Sequence, residues 1–110
     1  MIPSQMLKGI LEGCILVIID RGDLYGYEIT QKLEQYGFGK ISEGTIYPLL
    51  LRLQRSELIS FEIRESNQGP KRKYYYLTET GKSELENFKN NYHELNQAVS
   101  KLLEGMDINE

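Results

Sequence analysis

Apolar residues recur along this 110-residue chain with two different periods, and the changes of period mark out its elements. Between residues 5 and 20, Leu7, Ile10, Leu11, Cys14, Val17 and Ile18 fall three and four apart, which predicts a first helix. Ile15, Leu16 and Ile19 widen its stripe around most of the circumference, so this helix needs burial on two sides. After the turn residues of "RGDLYGYEI", Tyr27, Ile29, Thr30, Leu33 and Tyr36 predict a short second helix that stops near Gly37. Ser42 has the chemistry to cap a third, accepting a hydrogen bond from a free backbone N–H of the first turn. On that third helix Ile46, Leu49, Leu50 and Leu53 share the core-facing arc. Gly44, Pro48, Leu51 and Arg55 lie opposite, with Thr45 and Arg52 on one flank and Tyr47 on the other.

The period then drops to two. Ile59, Phe61 and Ile63 alternate with Ser60, Glu62 and Arg64 as in a half-buried strand, "ESNQGPK" reads as a turn, and "RKYYYL" as a second strand. From Thr78 onward, with Thr78 or Thr80 as cap, one long helix is predicted. Its residues Leu85, Phe88, Tyr92, Leu95, Val99, Leu102 and Met106 are spaced alternately three and four apart, a heptad seam. A helix of about 28 residues extends about 42 Å, more than so small a domain covers by itself, so the seam is expected to associate across chains. The fold class is mostly α with a small antiparallel β hairpin. Residues 1–78 form a winged helix-turn-helix and residues 79–110 a C-terminal dimerisation helix, in which Leu7 and Leu11 of the first helix join the seam.

In that arrangement the third helix enters a DNA major groove, which gives Pro48 a meaning. It removes the N–H that would bond the Gly44 carbonyl and crowds that carbonyl. One reading is a loosened first turn that lets Gly44 approach the sugar-phosphate wall while Thr45 and Tyr47 hydrogen-bond to phosphates or base edges. The other is a helix that simply begins at Pro48. Lys71, Arg72 and Lys73, beside a turn at Gly69 and Pro70, supply the cations of a wing on the phosphate backbone.

Charge first argues against such a partner, since the chain carries a net charge of -3. The distribution reverses that: residues 40–78 hold seven basic and four acidic side chains, and residues 79–110 three basic and seven acidic. The acid sits in the tail. The apolar run Cys14–Ile19 is six residues long, too short to span a bilayer, and no secretory pattern is present, so a cytoplasmic protein without a membrane partner is expected. Cys14 reads as a buried structural thiol and His93 as a surface or interface side chain; they build no triad or metal cluster, and no phosphate-binding glycine loop is present. Neither an enzyme nor a cofactor is expected. The rival reading is a winged-helix module that works by protein association without DNA.

"YGYEI", "EGTIYPLLLRLQ", "ELI" and "GPKRKYYYLTETG" resemble the hallmark segments of PadR-type transcriptional regulators over nearly the whole chain. The single C-terminal helix is similar to the shorter branch of that family. The resemblance implies a dimeric repressor of double-stranded DNA whose C-terminal helix pairs with its partner's helices. It also implies a cavity near the dimer interface for a small hydrophobic or aromatic effector, here without a tryptophan to stack on it. By the same resemblance Tyr27, Thr45, Tyr47, Pro48, Arg72, Lys73 and Tyr74 match motif positions, Tyr74 and Tyr75 also being readable as packing residues. The DNA-contacting candidates are therefore Tyr27, Ser42, Glu43, Gly44, Thr45, Tyr47, Pro48, Arg52, Lys71, Arg72 and Lys73. Two positions depart from the pattern. Leu51 stands where many members carry a basic or polar residue, and Glu57 where a glycine commonly ends the third helix. A left-handed Glu57 costs about 1 kcal/mol; otherwise the helix ends differently.

Overall fold

A computed structural model describes residues 2–66 and 69–105; Met106, the last seam position, lies outside them. The stretch read as one helix over residues 5–20 is two, α1 (Ser4–Leu7) and α2 (Leu11–Asp20). Gly9 between them has φ +85°, a left-handed setting open to glycine but incompatible with a continuing right-handed helix. The second helix, α3 (Gly26–Gln35), starts where the Glu28 carboxylate accepts the Tyr25 backbone N–H at 3.2 Å. It stops where the Phe38 N–H donates to the Leu33 carbonyl at 3.1 Å and Gly37 turns left-handed with φ +100°.

The third helix is α4 (Glu43–Arg55), and Ser42 caps it by accepting the Thr45 N–H at 3.2 Å. Pro48 lies inside this helix, so the helix does not begin there. Ile46, Leu50 and Leu53 are buried and Leu49 half-buried, while Gly44, Pro48, Leu51 and Arg55 face outward as the wheel predicts. At its far end Glu57 takes φ +63°, and the Leu58 N–H reaches back to the Leu53 carbonyl at 3.0 Å. The left-handed termination is therefore kept without glycine.

Strands β1 (Ile59–Ser66) and β2 (Gly69–Leu77) pair antiparallel, with Ile59 opposite Leu77 and Arg64 opposite Arg72. Of the segment "ESNQGPK", expected as a turn, Asn67 and Gln68 lie outside the described residues, and the rest is strand: Ser66 pairs with Gly69 past an irregularity after Arg64, and Gly69–Pro70 opens β2. A proline at the start of a strand gives up a donor that no ladder needs. Beside the base of the hairpin, the Leu24 carbonyl accepts the Tyr75 N–H at 3.0 Å and adds a one-residue third rung. Burial fades outward along the hairpin, from Ile59 at 1% exposed through half-buried Phe61 to Ile63 at 58%.

The last helix, α5 (Glu79–Leu103), takes Thr78 as its cap, whose Oγ1 accepts the Gly81 N–H at 2.9 Å and donates to the Glu57 carbonyl at 2.7 Å. Two glycines seat its base. A Cβ on Gly81 would lie 1.9 Å from the Leu58 carbonyl oxygen, and one on Gly13 would lie 2.1 Å from the Phe88 ring. The core formed by Ile15, Leu16, Ile29, Leu33, Ile46, Leu50 and Ile59 also takes in Leu7, Leu11 and Leu85. Those three were expected on a dimer seam; the broken first helix folds Leu7 and Leu11 inward, and α5 lays its first two turns on α2. Farther out, Tyr92, Leu95, Val99 and Leu102 are exposed. No helix among the described residues is long and apolar enough to cross a membrane.

Candidate nucleic-acid interface

The start of α3, the first turns of α4 and the first residues of β2 converge on one concave surface of about 600 Å³, lined by Tyr25, Gly26, Tyr27, Glu43, Tyr47, Lys71, Arg72, Lys73 and Tyr75. Of the DNA-contacting candidates, the fold thus gathers Tyr27, Glu43, Tyr47, Lys71, Arg72 and Lys73. Gly26 makes the convergence feasible: a Cβ there would meet the Tyr47 phenol at 2.6 Å, so only glycine lets the α4 tyrosine rest on the start of α3. Burial pushes the Tyr47 phenol above its ordinary value, and the Glu43 carboxylate, one turn earlier, adds to the rise. Tyr47 is nonetheless 44% exposed, so its ring edge remains open to a ligand.

Gly44 and Pro48 sit on the outward face of α4 and are not among the residues lining this concave surface. A Cβ on Gly44 would meet only Ser42 Oγ, at 3.6 Å, so nothing within the chain demands glycine there. Its bareness matters instead to whatever approaches from outside. Ser42, Thr45 and Arg52 border a different cleft of about 700 Å³, shared with α1 and the residue 38–41 loop. The Ser42 and Thr45 hydroxyls lie 3.3 Å apart, and Arg52 Nε donates to Glu12 on α2. Arg52, read as a DNA contact, thereby also joins α4 to α2; with the Arg52 side chain 66% and the Glu12 side chain 36% exposed, that pair is worth at most about 1 kcal/mol.

The wing cations stand on a cross-strand pattern. Lys73 lies 4.5 Å from the Phe61 ring centroid on one face, and Arg72 lies 4.3 Å from that of Tyr25 on the other. Among the described residues, none of Lys71, Arg72 and Lys73 forms an ion pair. Tyr25, Gly26 and Tyr75 line the same surface without having been singled out for it. For Tyr25 and Gly26 the signal was present in "DLYGYEI", where an aromatic precedes a helix-starting glycine, but only the tertiary approach of α4 makes it legible. Tyr75 is buried and packs on Phe61 with centroids 6.2 Å apart, and burial, then Tyr47 nearby, pushes its phenol up. Cys14 is half-buried and burial pushes its thiol up. No group of three or more His, Cys, Asp or Glu side chains among the described residues is placed to hold a metal.

Helix pair α3–α4 with the β1–β2 hairpin at its flank makes the fold a winged helix-turn-helix extended by a long C-terminal helix. The model of the transcriptional regulator PadR-like family matches residues 15–87, and the chain belongs to that family. A crystal structure of a PadR-like transcriptional regulator from Bacillus cereus superposes with a TM-score of 0.85 at 52% identity, over 93% of this chain and 99% of that one. The negative transcriptional regulator PadR of Bacillus subtilis is 39% identical over 82 residues, which cover 69% of this chain and 43% of that protein. Its crystal structure in complex with operator DNA superposes with a TM-score of 0.66 at 30% identity, over 73% of this chain and 46% of that one. The chain thus matches less than half the length of the Bacillus subtilis protein.

Proposed function

We propose that this regulator is a homodimeric repressor that holds a near-palindromic operator in double-stranded DNA with two copies of the concave face described above. The observation that carries the reading is the meeting of Tyr27, Tyr47 and the cations Lys71, Arg72 and Lys73, without ion pairs among the described residues, at the exposed tip of α4. A helix tip supplies groove contacts, and flanking cations supply the phosphate contacts that set register. Outward-facing Gly44 and Pro48 leave that tip without bulk, so it can lie close to the backbone wall. The Bacillus subtilis relative, a negative regulator solved on operator DNA, supports the assignment.

The two copies join through the exposed outer half of α5, Tyr92, Leu95, Val99 and Leu102, and so set the tips about 34–36 Å apart, one helical turn of DNA. A small hydrophobic or aromatic effector between subunits, against Phe88, Tyr92 and Val99, acts by changing that separation. The test is an electrophoretic shift on DNA upstream of the protein's own gene at several salt concentrations. Wild type is expected to bind with a steep negative log-log salt dependence. Lys71→Ala is expected to reduce that slope by about 0.9, the release of counterion from one phosphate. No shift even at low salt would overturn the reading.

A further inference from the structure

On the outward face of the wing, Arg64 and Arg72 stand directly opposite each other across the two strands, where like charges are destabilising. The surrounding side chains resolve this unequally. Arg64 donates to Asp23 at 2.7 Å and to Glu62 at 2.6 Å, so two carboxylates absorb its charge. Its guanidinium also covers the Tyr74 ring, at 4.7 Å from the centroid. Tyr74 meets Tyr25 edge to face, with centroids 5.4 Å apart and planes at 72°. Tyr25 in turn carries Arg72 on its face at 4.3 Å. The result is a ladder of cation, ring, ring and cation that ends on Arg72, which, unlike Arg64, has no carboxylate partner among the described residues.

We propose that Tyr25 and Tyr74 are positioning residues of the DNA interface, and that they act through Arg72; the inference rests on the DNA-binding reading above. A guanidinium held over a ring face by a cation–π contact leaves N–H donors free for phosphate oxygens. The stack removes rotamer freedom that an exposed arginine would otherwise lose on binding. Because Tyr25 immediately precedes α3, whose start carries Tyr47 of α4, the ladder also ties the wing to the helix tip at one fixed spacing. Asp23 and Glu62 serve the same end by neutralising Arg64, leaving the field at the ladder's open end to Arg72.

The test combines two measurements. In the free protein, the Arg72 δ protons are expected upfield of the random-coil position because they lie over the Tyr25 ring. That shift should vanish in Tyr25→Leu and persist in Tyr25→Phe. On promoter DNA, Tyr25→Leu is expected to weaken binding about two- to five-fold, the span of an exposed cation–π contact. Tyr25→Phe should bind like wild type, and in an Arg72→Ala background Tyr25→Leu should cost nothing further. Equal losses in both backgrounds would make Tyr25 merely structural and overturn the proposal, as would an unshifted Arg72 in the wild type. A wild type that shows the ring shift yet leaves DNA unbound would instead overturn the functional reading on which this one rests.

Discussion

Along α5 a single apolar spacing meets two outcomes. At the base, Leu85 is 2% exposed and Phe88 rests where Gly13 makes room, both covered by α2 of the same chain. One turn farther out the same seam continues through Tyr92, which stacks on Phe88 with centroids 6.2 Å apart, and then through Leu95, Val99 and Leu102, all of them exposed. A heptad stripe reports that a face seeks cover and is silent about which chain provides it. In a molecule whose longest extent is 62 Å, the base of α5 is part of the winged-helix core and the outer half projects from it. Folding stability should therefore reside in the first half and self-association in the second.

The largest effect expected from that division is on Leu85. Leu85→Ala should lower unfolding free energy by about 3 kcal/mol through lost burial and the cavity left behind, read from urea denaturation. A loss below about 1 kcal/mol would mean that the base of α5 is not core. Next comes Leu95→Asp, which should raise the dimer dissociation constant at least tenfold, about 1.4 kcal/mol, in sedimentation equilibrium while leaving the far-ultraviolet dichroism unchanged. Unaltered association would place the dimer contact elsewhere.

A smaller gain is expected at the joint between the two regions. Glu57 holds a left-handed conformation and offers its carbonyl to the Thr78 cap. Glu57→Gly should therefore stabilise the fold by about 0.5–1 kcal/mol, visible as a higher denaturation midpoint. The smallest effect concerns pH. Burial raises the Tyr75 phenol above its ordinary 10.0, so the unfolded chain ionises first. The associated stability is complete below 10.0 and drains away as pH climbs through the higher folded value. Tyr75→Phe should flatten that alkaline decline in thermal melts, and an identical decline in the variant would assign it to other groups.

Much of this was readable from residue order because local chemistry decided it. The caps at Ser42 and Thr78, the stop at Gly37, the buried arc of α4 and the change of period at Ile59 each depend on neighbours within a few positions. The departures came where a distant segment intervened. Gly9 breaks the first helix because Leu7 and Leu11 enter the core separately, a demand that periodicity alone does not express. Gly69 and Pro70 looked like a turn by composition, yet cross-strand pairing carries the ladder through them to Ser66. The candidate interface divided in the same way. Lys71, Arg72, Lys73 and Tyr47 were visible as residue types beside a groove helix. Arg52 meets Glu12, forty positions away, and Tyr25 meets Arg72 and Tyr74, contacts that residue order does not express.

The most direct test of the central claim is to follow backbone amide shifts of the isotope-labelled protein as its promoter duplex is added. Large changes should cluster at Tyr25–Tyr27, Glu43–Tyr47 and Lys71–Lys73, three segments far apart in the chain and joined only by the fold. Changes confined to the outer half of α5, with those three segments undisturbed, would contradict the assignment of the concave face to DNA.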